Sequence, residues 1–207
     1  MLLYHGSKSG IEGAIQPISR DKCDFGRGFY MGTDEQQPLT LICNFPTPVL
    51  YTVDFEPFDL NVLELPLDLD WALFIAFNRG KLESIRGTEM HTRISTLADG
   101  FDVIAGAIAN DRMFVVLDRF FNGEITDAAL VASLSALQLG KQYAAITQRA
   151  CDRVNIVGMH ALSSAELDEL RDTSERNRAR GIALAESICR EYRRDGRFFD
   201  EIVRTER

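Results

Sequence analysis

Long apolar runs are missing from this sequence. Its longest, such as LDWALFIAF ending at Phe77, stop well short of the roughly 18 to 20 residues that a bilayer crossing needs, so no membrane-spanning helix is expected. Positive charge is also in deficit: 23 Lys and Arg stand against 31 Asp and Glu, giving a formal net charge of −8. A phosphate backbone is held by a basic face, so nonspecific nucleic-acid binding is disfavoured. The cysteines, Cys23, Cys43, Cys151 and Cys189, form no CxxC and have no histidine at zinc-like spacing, which leaves reduced, mostly buried thiols and removes support for a metal. GxSxG is absent, and FGRGFYMG has neither the spacing nor the lysine of a phosphate-binding loop. Cys43 with His91, or Cys151 with His160, lacks the flanking glycines and orienting carboxylates of a thiol enzyme. The opening MLLYHGSKSG shows no basic stretch ahead of an apolar core, so no secretory signal is expected. That points to a cytoplasmic protein, or to an effector delivered by a leaderless route.

What is present reads as ordinary globular composition, 45% hydrophobic and 26% charged over 207 residues. This length carries one well-cored domain, residues 1–160, and a charged helical tail, residues 161–207. Leu2 to Tyr4 and GRGFYMG read as short strands bounded by glycine turns. Thr33 with Gln36 three residues on has the pattern of a capping box, which starts a helix running to about Cys43. VLYTVDF from Val49, NVLEL from Asn61, FDVIA from Phe101, QYAAIT from Gln142 and the stretch Asn155 to Met159 read as further strands. Asp68 to Phe77 reads as a buried helix; Asn110 and Asp111 cap MFVVLDRFF, and Thr126 caps DAALVASLSALQ. His91 falls in a polar stretch with Glu89 and Arg93, read as an exposed loop suited to target recognition. Ser163 with Glu166 is a second capping box, opening a long Arg- and Glu-rich helix. Its thin apolar seam, from Ile182 to Cys189, is suited to docking on the body or on a partner. Strands and helices do not alternate regularly, so the fold class is α+β.

His5, Gly6, Tyr30 and Gln142 sit on expected strands where a purely structural residue would be Val or Ile. Taken singly, His5 is a satisfied core histidine, Tyr30 an aromatic packed beside Phe29, and Gln142 an edge polar group. Taken together, beside glycine-rich turns, they suggest strands lining a ligand cleft.

In order along the chain, LYHGS, DFGRGFYMGTDEQQ, FDVIAGAIANDRMF and QYAAIT resemble a bacterial ADP-ribosyltransferase-like family formerly known only as a domain of unknown function. That family is similar to the diphtheria-toxin-like branch, with its His, its Tyr and a third strand residue. The resemblance spans roughly residues 1–160. It implies a split β-sandwich of two small sheets around a cleft that holds NAD as substrate, with flanking helices. Position by position, it implies that His5 bonds the ribose on the adenine side and that the Gly6 backbone grips the nicotinamide carboxamide, with Ser7 beside them. Tyr30 would stack on the nicotinamide ring, while Gly28 lets the second strand pass close to the ligand. Asp24 and Arg27 would contact substrate or pyrophosphate, the alternative being a surface turn with a salt bridge. Gln142 takes the third position, near the nicotinamide ribose.

The chemistry so implied breaks the bond between nicotinamide and ribose through an oxocarbenium-like transition state, after which a nucleophile attacks the sugar carbon. Many members of the superfamily carry glutamate where this chain has Gln142. Charge-assisted bonds exceed neutral ones by about 1 kcal/mol, so the amide lowers the rate near tenfold and does not abolish it. Transfer of single ADP-ribose units to a macromolecule, protein sooner than nucleic acid, is the expectation, in a toxin or effector. Alternatives are a non-catalytic NAD- or partner-binding module and an NAD glycohydrolase. Expected partners are the acceptor, an antitoxin or other protein, or a second copy docking on the C-terminal helix.

Overall fold

A computed structural model describes residues 1–109, 113–136 and 138–205. Asn110 and Asp111, read from the sequence as a helix cap, lie outside the described residues. Among the described residues seven strands run as β1 (Leu2–Ser7), β2 (Phe29–Gly32), β3 (Val49–Phe55), β4 (Val62–Glu64), β5 (Val103–Ala107), β6 (Lys141–Ala145) and β7 (Val154–Ala161). The helices are α1 (Gln36–Ile42), α2 (Leu69–Asn78), α3 (Glu89–Ser95), α4 (Met113–Phe121), α5 (Asp127–Leu134), α6 (Gln148–Cys151), α7 (Ser164–Glu191) and α8 (Phe199–Thr205). The class is α+β: one mixed sheet in the order β4-β5-β6-β2-β1-β3-β7, antiparallel except at β4/β5.

Where two small sheets were expected, hydrogen bonding joins all seven strands in one ladder. Its weakest junction is at the centre, where β1 meets β2 at the single pair Tyr4↔Gly32, whereas β1 pairs β3 from Leu2↔Asp54 to Ser7↔Val49. Past Tyr4 the two strands part.

Alternation in β3 puts Tyr51, Val53 and Phe55 into one core with Leu3, Phe29 and Met31, and Leu50 on the opposite face among Leu39, Cys43, Leu167 and Leu170. Strand β5 is buried on both faces: Val103 joins the core of β3, and Ile104 joins the larger core beneath α2, α4 and α5. Helix α2 is apolar nearly all round because it is enclosed, with Trp71 fully buried and its indole N–H donating to the Ala107 carbonyl at 3.1 Å. Asp68 caps it, its carboxylate accepting from the Trp71 N–H.

The tail packs on the body. The capping box at Ser163 and Glu166 starts α7, Leu167 and Leu170 cover β3 and α1, and Cys189 enters the main core with Phe199 and Ile202. Phe199 meets Phe120 and Phe121 edge-on at ring separations of 5.4 and 5.0 Å. The seam is thus used, at least at Ala185 and Cys189, on the chain's own core.

Two local expectations are corrected. Thr33 does not cap α1, which begins at Gln36 without a side-chain cap; the Thr33 hydroxyl accepts from the Lys141 N–H at 3.0 Å and joins the end of β2 to the start of β6. His91 is not in a loop. Thr88 caps α3, Met90 and Ile94 bury the inner side of that helix, and the His91 ring stands edge-on to Phe77 at 5.6 Å. Among the described residues no helix is long and apolar enough to cross a membrane, and no group of three or more His, Cys, Asp or Glu is arranged to hold a metal ion.

Candidate functional site

Where β1 and β2 part, a cleft of about 510 Å³ opens, and β6 completes its floor. Its size lies within the range of about 300–1,000 Å³ of small-molecule sites. His5, Gly6, Ser7, Asp24, Gly28, Tyr30 and Gln142 all line it. Arg27 does not: it is exposed and pairs with Asp21 at 2.6 Å, which is the surface salt bridge of the alternative reading.

His5 bridges the gap in the ladder. Its Nδ1 lies 2.7 Å from the Tyr30 carbonyl oxygen, and its ring stacks on Phe29 at 4.1 Å. A carbonyl only accepts, so Nδ1 carries the proton and Nε2 bears the lone pair. Burial pulls the imidazole below its ordinary range, which keeps this neutral form at pH 7. Among the described residues Nε2 has no hydrogen-bond partner, and no buried polar side-chain atom is left unsatisfied, so Nε2 is open to solvent as an acceptor.

Tyr30 offers the opposite: a ring without a usable hydroxyl. Gly26 adopts a positive φ of 80°, turning the chain so that the Tyr30 oxygen accepts from the Phe25 N–H at 2.9 Å and donates to the Gly26 carbonyl at 2.8 Å. Burial, first, and the neighbouring Cys23 and Asp24 push the phenol well above its ordinary value, so it stays neutral and takes no part as a base. What remains for a ligand is the aromatic face.

Gln142 is buried on β6, and its Nε2 donates to Asp24 Oδ2 at 3.1 Å. The other oxygen of Asp24 receives Arg79, from the C-terminal end of α2, through Nε at 2.8 Å and through Nη2. Both side chains of this ion pair are nine-tenths buried. Asn78 secures the Asp24 backbone carbonyl at 3.2 Å. By the reasoning applied to His5, Gln142 Oε1 is a second acceptor open to the cleft.

Two expected contributions have local structural causes. A Cβ at Gly6 would stand 2.9 Å from Ile42 Cγ2 and 3.0 Å from the Pro38 carbonyl oxygen, so helix α1 occupies the room that the missing side chain leaves. The Ser7 hydroxyl is engaged in its own turn, donating to the Gly10 carbonyl at 2.9 Å and accepting from the Gly10 N–H at 3.1 Å.

Sequence reasoning missed the cations. Among the described residues, Lys8, Arg20 and Arg79 line the cleft with one carboxylate, Asp24, which Arg79 engages. Lys8 Nζ lies 4.6 Å from the centre of the Phe45 ring. In sequence, Lys8 looks like part of a polar turn and Arg79 like a helix tip. Only tertiary contact joins Arg79 to Asp24, 55 residues away.

Residues 1–156 match the family described as proteins of unknown function, DUF3990, and the chain belongs to that family. The family description assigns no activity. No curated protein and no solved structure matches the chain.

Proposed function

We propose that the chain is a mono-ADP-ribosyltransferase that cleaves NAD between nicotinamide and ribose and passes ADP-ribose to a macromolecular acceptor. The observation that carries this reading is the set of ligand groups offered by one cleft: two acceptors, His5 Nε2 and Gln142 Oε1, and one aromatic face, Tyr30. Acceptors suit the hydroxyls of riboses, an aromatic face suits a planar base, and the cations Lys8 and Arg20 suit a pyrophosphate. The single-pair junction between β1 and β2 supports regarding the ladder as two halves, β4-β5-β6-β2 and β1-β3-β7, set about the cleft.

In this reading NAD lies along the β1/β2 opening, with Tyr30 against the nicotinamide ring. Gln142 accepts from a hydroxyl of the adjoining ribose and turns a carbonyl dipole toward the positive charge that grows as nicotinamide departs. Nicotinamide leaves neutral, so no acid is needed, and the neutral Tyr30 and His5 meet that requirement. Positioning carries most of the acceleration. Antitoxin binding, effector delivery and the identity of the acceptor belong to the same proposal.

Incubation with NAD labelled in its adenylate half and a cell lysate tests it. Nicotinamide release together with label on protein is the expected result. Release with free ADP-ribose and no labelled target identifies a glycohydrolase, and neither release nor label refutes the proposal.

A further inference from the structure

The buried Asp24 is too well held to be a casual contact. Arg79 takes one of its oxygens, Gln142 takes the other, and Asn78 holds its backbone, although these residues stand 55, 118 and 54 positions away in the chain. Among the described residues, the charged or titratable groups around the Asp24–Gln142 contact are Arg79 from the end of α2, Tyr30 from β2, Cys23 beside Asp24, and His5 from β1. An amide side chain presents a donor end and an acceptor end of nearly equal shape. Which end faces a ligand is decided by what stands at the other end. A carboxylate accepts only, so Asp24 requires the N–H end of Gln142 and leaves Oε1 to the cleft.

We propose that Asp24, itself fixed by Arg79, is a positioning residue that locks the Gln142 amide so that Oε1 is presented to a ligand hydroxyl as an acceptor. The identification of that hydroxyl with a ribose of NAD rests on the function proposed above. The same contact explains why position 142 carries glutamine and not glutamate in this chain. A glutamate there would set a second carboxylate about 3 Å from Asp24 in a buried place, where two like charges cannot both ionise. Asp24 thus makes glutamine the residue that fits, with the amide oxygen standing where a carboxylate oxygen would stand.

The test exchanges the two functional groups. Q142E alone forces the carboxylates to share a proton, and its melting temperature should fall by about 5 °C or more relative to the unaltered chain between pH 5 and pH 8. The double variant D24N/Q142E keeps the total charge and restores a donor facing a carboxylate, now reversed, with the amide oxygen introduced at position 24 left to accept from Arg79. It should regain the unaltered pH dependence of melting. A Q142E chain that melts with the unaltered pH dependence overturns the proposal, as does a double variant that melts no better than Q142E. This readout needs no ligand, so it separates the proposal from the NAD reading.

Nicotinamide release supplies the second readout. For Q142E, kcat at pH 8 should fall about tenfold or more and recover toward pH 5, while KM for NAD changes less than about threefold; the double variant should recover most of the lost kcat at pH 8. Q142E turning over faster than the unaltered chain at pH 8 overturns the positioning role. The expected melting pattern with no nicotinamide release from the unaltered chain sustains the positioning of Gln142 and refutes NAD as the ligand.

Discussion

Replacing Tyr30 by Phe separates the work of its hydroxyl from that of its ring. The hydroxyl ties together the turn before β2, accepting from the Phe25 N–H at 2.9 Å and donating to the Gly26 carbonyl at 2.8 Å. Removing it leaves a donor and an acceptor of the backbone unsatisfied in a partly buried place, a loss of about 1–3 kcal/mol, for which we take about 2 kcal/mol. A chain of this size loses roughly 2–4 °C of Tm per kcal/mol, so melting should fall by roughly 4–8 °C. The aromatic face is unchanged, so kcat/KM for nicotinamide release should stay within about threefold of the unaltered chain. Differential scanning calorimetry and a chromatographic nicotinamide assay on the same preparation check both halves. Unaltered stability would show that the two hydrogen bonds contribute nothing. A loss of about a hundredfold in kcat/KM at unaltered stability would show that the hydroxyl takes part in the chemistry, and would refute the assignment of Tyr30 as a ring alone.

Other outcomes follow from the same geometry. The folded chain holds the His5 imidazole below its ordinary value, so below about pH 6.5 the unfolded chain binds the additional proton first. Stability therefore falls as pH drops through that window, and His5→Asn, whose amide N–H can still reach the Tyr30 carbonyl, should flatten this part of a Tm-against-pH curve. For Tyr30 the shift is upward, so the unfolded chain loses its proton first and stability declines as pH rises above about 10; Tyr30→Phe should remove that contribution from an alkaline melting series. Gly6→Ala drives a Cβ against Ile42 and Pro38 and should destabilise by about 1–3 kcal/mol in denaturant titration. Phe199→Ala opens a cavity beside Phe120 and Phe121 and should cost about 3 kcal/mol or more, and a chain ending at His160 should melt lower still because it also loses Leu167, Leu170 and Cys189.

Much of the local architecture was legible because the signals were local. Thr126 and Ser163 each stand just before a helix and accept from the backbone as capping chemistry requires, and Asp68, read as the start of its helix, proves to be its cap. The two-residue alternation of VLYTVDF fixed β3. Thr88 carried an equally good signal for α3, but the charged residues around His91 masked it. Thr33 misled for the opposite reason: its hydroxyl had a long-range partner, the Lys141 N–H, that outcompeted the cap. In the cleft, His5, Tyr30 and Gln142 stood out as polar or aromatic groups on strands. Asp24 and Arg79 define the site's electrostatics just as strongly, yet their partnership spans 55 residues and leaves no trace in either neighbourhood. Gly6 was read for what a ligand would need, whereas the room it leaves is filled by α1. Backbone packing and long-range charge pairing are the two things that a pattern along one chain does not display.

The central claim is that one cleft accepts a dinucleotide through two acceptor atoms and an aromatic face. Calorimetric titration of NAD into the intact chain at pH 7.5 tests it most directly. The account predicts saturable one-to-one binding that weakens only in acid, below the ordinary imidazole range, because burial lowers the His5 value and only there does Nε2 take up a proton and cease to accept. No heat of binding up to millimolar NAD, or binding indifferent to both that pH change and His5→Ala, would contradict it.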